Sequence, residues 1–221
     1  MWNETVALLR KDFLLEFRQR HSLAALFVFV LSSVFVCYLA FQTIEESEAW
    51  GALLWVVGLF GAINAMAKTF FAEGMGVQLY LHTLAHPRSV ILSKILFNTL
   101  LIICLNLLSL LLFLLFFGTK AVADADMIQF IGGLLIGSCA LGTSLTLMAG
   151  IAFRAGNNLG LMAILAFPVL IPVLITLVRF SINSLEGISW GENLVNLSML
   201  TVLLGSSLAL ALVLFPYLWR D

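Results

Sequence analysis

Six long apolar runs alternate with short polar breaks along this chain: Ser22–Ile44, Ala49–Ala67, Val90–Gly118, Met127–Phe153, Asn157–Val178 and Leu194–Trp219. Each reaches the about 20 residues a helix needs to cross a hydrocarbon core about 30 Å thick. In lipid, backbone polar groups are satisfied only inside helices or closed barrels. Barrel strands alternate apolar and polar positions, whereas these runs are continuous. The pattern predicts an all-α integral membrane protein with six transmembrane helices.

Ahead of the first run the period changes. Trp2, Val6, Leu9, Phe13 and Phe17 recur at steps of four, three, four and four, which is one stripe of a helix. Arg10, Lys11, Arg18 and Arg20 lie largely off that stripe. Residues 1–21 therefore read as an interfacial amphipathic helix, apolar face down and bases toward anionic membrane lipid. Glu4, Asp12 and Glu16 sit among the bases, and no small-x-small cleavage site follows the first run. The reading is an uncleaved first helix rather than a signal peptide.

The second polar break, residues 68–88, has a period of its own. Phe71, Met75 and Leu79 share one helical face, and Pro87 stands where a helix has ended. This predicts a short helix held against the membrane. Its exposed face offers a protein partner a lever joined to two spans.

Composition agrees with the pattern. The chain is 62% hydrophobic and 10% charged, against about 25% charged in soluble domains. Residues 1–221 read as a single transmembrane domain. Arg10, Lys11, Arg18, Arg20, Lys68, Arg88, Lys94, Arg154 and Arg220 fall at one set of ends, and only Lys120 and Arg179 at the other. By the positive-inside rule both termini and the 68–88 segment are cytoplasmic. Segment 179–193 is too short and polar to span, and is expected outside as small helices.

Within the spans, Asn98 and Asn106 lie roughly on one face and are expected to hydrogen-bond to a neighbouring helix. Gly132, Gly133, Gly137, Gly142 and Gly150 mark the fourth run as a tightly packed helix, within the subunit or at a dimer seam. Pro168 and Pro172 stand one turn apart in the fifth run and each withdraws an N–H. A bend or break, and with it a gate, is predicted there, in the outer half of the membrane.

Several chemistries are missing. No ionisable side chain sits at mid-span, which argues against proton- or sodium-coupled transport. There is no G-x-x-x-x-G-K-[ST] phosphate loop. No catalytic constellation and no metal-ligand spacing appear. Cys37, Cys104 and Cys139 read as small apolar residues within spans. His21, His82 and His86 read as surface or partner-contact residues rather than haem ligands.

The Glu73-Gly74-x-x-x-Gln78-Leu79 stretch before Pro87 resembles the cytoplasmic coupling segment of ABC-2-type (type V exporter-like) permeases. Within that superfamily the chain resembles the haem (heme) exporter protein B family (CcmB). Three stretches carry the likeness: Leu8 to Asp12 leading to Glu16-Phe17-Arg18, Phe71 to Lys94, and Leu159 to Leu174 with its paired prolines. The chain departs from the family pattern at His82-Thr83-Leu84-Ala85-His86, where members often carry a Leu-Leu pair and further prolines.

The resemblance implies a non-catalytic permease subunit of the cytochrome c maturation ABC transporter in the bacterial inner membrane. It implies a homodimer working with a CcmA-like ATPase dimer that binds ATP and magnesium. It further implies CcmC-like and CcmD-like membrane partners, a CcmE-like periplasmic chaperone, haem as cargo and no nucleic acid. Phe71, Glu73, Gly74, Met75, Gln78, Leu79 and Pro87 are the expected ATPase-coupling residues, and Pro168 and Pro172 the expected gate. The rival readings are an ABC-2 permease for a lipid, glycan or drug, a scaffold for haem-handling proteins, and a secondary carrier.

Overall fold

The computed structural model describes residues 2–18, 20–71, 86–154 and 159–218. They form seven α-helices and one 3-10 turn: α1 Trp2–Arg18, α2 Arg20–Phe41, α3 Ser47–Phe71, α4 Pro87–Phe117, the turn Lys120–Val122, α5 Met127–Arg154, α6 Leu159–Leu185 and α7 Trp190–Leu218. Six of them, α2 to α7, are long and apolar enough to cross a membrane.

The helix ends follow local chemistry. Pro87 opens α4 at a position where its missing N–H is not needed, and His86 before it is extended (φ −68°, ψ 134°). Gly118 closes α4 at φ +73°, a backbone state that an L side chain resists, and its N–H returns to the Leu114 carbonyl. Asp126 caps α5, its Oδ1 accepting the N–H groups of Ile128 and Gln129 at 3.1 Å each.

Helix α5 is the axis of the bundle, packed by α3, α4, α6 and α7. In its most apolar stretch 78% of residues are buried, against 17% in α2 and in α7, which stand at the periphery. Lipid is as apolar as leucine, so burial alone does not drive these helices together. Close packing and interhelical hydrogen bonds must do so.

The glycines of α5 provide the close packing. A β-carbon at Gly133 would run into the Phe180 ring, and one at Gly137 would lie 2.5 Å from Leu177, both on α6. At Gly142 it would meet Thr99 of α4. Of the two uses expected for these glycines, they serve packing within the subunit.

Buried polar groups provide the hydrogen bonds. Asn98 Nδ2 donates to Thr146 Oγ1 at 3.1 Å, and Asn106 Nδ2 to Ser138 Oγ at 2.8 Å, both from α4 to α5. Trp55 Nε1 donates to Ser181 Oγ at 2.8 Å, tying α3 to α6. Ser144 and Ser207 join α5 to α7 at 2.9 Å. The expectation for both asparagines is met.

Two expectations need correction. Arg179–Asn193 forms no separate small helices: α6 continues to Leu185, and α7 begins at Trp190 after a link in which Gly187 adopts φ +70°. The junction is fastened by Asn193, whose Nδ2 donates to the Phe180 carbonyl at 3.0 Å, and by Trp190 Nε1 donating to Asp126 Oδ2 at 2.9 Å. These side-chain bonds hold the ends of α5, α6 and α7 together across the link. The second correction concerns α6, which is helical without a break through Pro168 and Pro172. It runs past Val178 to Leu185, so the prolines stand near the middle of the helix.

Candidate functional site

The expected coupling residues lie between α3 and α4. Phe71 is the last residue of α3 and Pro87 the first of α4. Glu73, Gly74, Met75, Gln78 and Leu79 lie outside the described residues, as does His82. What the structure does show is how the helix leaving that segment is held.

Helix α1 lies against the first turns of α4. Ser89 Oγ donates to Glu4 Oε2 at 3.0 Å. The Phe13 ring meets Phe97 edge-on, with centroids 5.2 Å apart. Between these contacts Lys94 Nζ lies 3.4 Å from Asp12 Oδ1, with side chains only 8% and 4% exposed. Lys11 Nζ is 3.2 Å from the same oxygen. Asp12 Oδ2 and Glu16 Oε1 are buried with no hydrogen-bond partner among the described residues. Lys94 is thus drawn into the protein, and its ammonium is matched by a carboxylate from another helix.

Helix α1 is amphipathic as expected, but it turns a polar face inward. Thr5 and Asp12 are buried, while Trp2, Val6, Leu14 and Phe17 are exposed. In a chain surrounded by lipid this is the sensible sense: outward apolar groups cost nothing there, and a charge is tolerated where a partner meets it. Sequence reasoning placed Asp12 and Lys94 separately and missed their meeting. The available signal was a second stripe, Thr5, Leu8, Asp12 and Glu16, at steps of three, four and four.

The expected gate residues sit on the outward side of α6. Pro168 is exposed and Pro172 half-buried, beside Ile164 and Phe167, which are 71% and 67% exposed. Their missing N–H groups leave the carbonyls of Ile164 and Pro168 without the usual helical donor. Thr176 Oγ1 donates to the Pro172 carbonyl at 2.8 Å. An apolar crevice of about 130 Å³ lies between this stretch and α3, lined by Leu59, Ile63, Leu145, Met162, Phe167 and Leu170. The helix with the weakest backbone ladder therefore borders empty volume.

His21 and His86 are both exposed. Cys37, Cys104 and Cys139 are free. Among the described residues no three His, Cys, Asp or Glu side chains converge.

The family model described as CcmB protein matches residues 3–218. The chain belongs to the CcmB family. No curated protein and no solved structure matches it. Membership in the CcmB family makes this multi-pass membrane protein the permease subunit of a haem-exporter ABC system, a non-catalytic role. The match takes in α1, the segment between α3 and α4, and the proline stretch of α6.

Proposed function

We propose that this subunit converts ATP hydrolysis by a CcmA-like partner into haem delivery to a CcmE-like periplasmic chaperone, or release of the loaded chaperone. The partner engages the segment between Phe71 and Pro87 from the cytoplasm. Motion enters the bundle through α3 and α4 and reaches the far side through α6. In this reading the protein is an ABC-2-type dimer in the bacterial inner membrane. Both termini are cytoplasmic, and CcmC-like and CcmD-like proteins sit alongside.

The observation that carries the reading is the family match over residues 3–218. The structure supports the mechanical part. Both helices flanking the coupling segment are long and pack on the central helix α5. A mechanical role is favoured over passage of haem through the chain, because haem carries propionates and charge in hydrocarbon is expensive. Among the described residues the buried charged side chains are Asp12 and Lys94, and they pair with each other.

The test is co-purification from native membranes followed by maturation assays. An ATPase and haem-handling proteins should arrive with the chain, and an ATPase-dead partner should abolish maturation. Full maturation with the dead partner would instead identify a scaffold. Glu73 or Gly74 substitutions should uncouple ATP use from maturation while the protein still inserts.

A further inference from the structure

We infer that α1 is a strut of the coupling apparatus, locked to α4 by the buried Asp12–Lys94 pair so that the two helices move as one body. The inference rests on the proposed coupling function and assigns a positioning role to two residues outside the coupling segment. Asp12 and Lys94 approach to 3.4 Å with side chains 4% and 8% exposed, so the contact is shielded from water and salt. Ser89–Glu4 on one side and Phe13–Phe97 on the other make the attachment extend over about two turns of α4.

A helix that merely floated on a membrane surface would put its charged face toward water and headgroups. This one buries Asp12 and Thr5 against a neighbour. The attachment begins directly after Pro87, where the coupling segment joins α4. A push delivered there acts on α4 near its end, and a lone helix end bends easily. With α1 fastened alongside, the push turns a two-helix body instead. Lys11 on α1 itself lies 3.2 Å from the same Asp12 oxygen, so what removing Lys94 takes away is the charge contact that crosses from α1 to α4.

The experiment uses the assembled complex in nanodiscs, with maturation per ATP hydrolysed as the readout. Asp12→Asn and Lys94→Gln should each assemble and hydrolyse ATP but lose about tenfold or more in maturation per ATP, because breaking the buried pair unfastens α1 from α4. The exchange Asp12→Lys with Lys94→Asp should recover most of the loss. A fall in protein level with unchanged maturation per ATP would overturn the strut, since that is what a merely structural pair would give.

A second measurement does not depend on the single variants folding. With Cys37, Cys104 and Cys139 replaced, Phe13→Cys and Phe97→Cys are joined by a short thiol linker. Turnover should survive the tether if α1 and α4 move together. Arrest on tethering, reversed by cleaving the linker, would overturn the proposal. If the unsubstituted complex itself shows no ATP dependence, the coupling function fails. If it is coupled and Asp12→Asn is equally coupled, only the strut fails.

Discussion

A β-carbon placed on Gly142 would lie 2.7 Å from Thr99 Oγ1 and 2.9 Å from Thr99 Cα. The second of those atoms is backbone, so no rotamer change relieves the contact. Helices α4 and α5 meet there with no room for a β-carbon, and the residue that permits it is in the axial helix. Gly142→Ala should therefore force the helices apart, destabilising the fold by about 1–3 kcal/mol as overpacking does. Gly205 on α7 is the control, because nothing lies within 4 Å of its would-be β-carbon. Gly205→Ala should be neutral or gain up to about 1 kcal/mol from helix propensity. Thermal unfolding in detergent distinguishes them, and equal effects at both positions would refute the close-approach argument.

Asn106 joins three helices by two different means. Its Nδ2 donates to Ser138 at 2.8 Å, and its Oδ1 occupies the space beside Gly58, 2.5 Å from where a β-carbon would stand. Asn106→Leu should lose about 1–2 kcal/mol with the interhelical bond. Gly58→Ala alone should be destabilising, yet adding Asn106→Ala should recover part of that loss by removing the clash. Such non-additivity is the mark of residues in contact. Strict additivity of the two unfolding free energies would show that they do not share this space.

The far end depends on Asp126. It caps α5 through two backbone N–H groups and accepts the Trp190 indole at 2.9 Å. Asp126→Ala removes all of these and should destabilise by about 1–2 kcal/mol. Trp190→Phe removes only the indole bond and should stay near about 1 kcal/mol or below. Chemical denaturation in mild detergent gives the ranking. A larger loss for Trp190→Phe would mean that the indole, rather than the cap, holds the junction.

What was legible in advance follows from the physics of each signal. The six crossings were plain because apolar length is a local property, and each run maps onto one helix. That Asn98 and Asn106 bond across helices was legible because a buried amide has no other outlet. That Gly133, Gly137 and Gly142 allow close approach was legible too, but their neighbours Phe180, Leu177 and Thr99 were not. Partner choice is a tertiary property, and glycine carries no side chain to announce it. The Asp12–Lys94 pair was hidden for another reason. The apolar stripe of α1 is the louder period, and it reads as facing the membrane. That leaves the polar side assigned to water and headgroups, whereas Thr5 and Asp12 on it are buried against α4. The prolines withdraw two ladder donors as expected, but α6 runs through them without a break.

The proline stretch gives the sharpest test of whether α6 moves. Pro168→Ala with Pro172→Ala restores N–H donors to the carbonyls of Ile164 and residue 168. A proline in a helix interior is less favourable than alanine by about 3 kcal/mol, so the double variant should unfold at a higher temperature than the parent. Nothing bulky is added, and the exposed side of Pro168 meets no crowding, so packing should be unchanged. If the weak ladder beside the crevice exists to let α6 flex during the transport cycle, stiffening it should lower maturation per ATP while ATP hydrolysis continues. The two effects would then run in opposite directions, more stable but less active. A variant that is more stable and equally active would show that the prolines shape α6 without serving as a gate, and motion would have to cross the bundle by another helix.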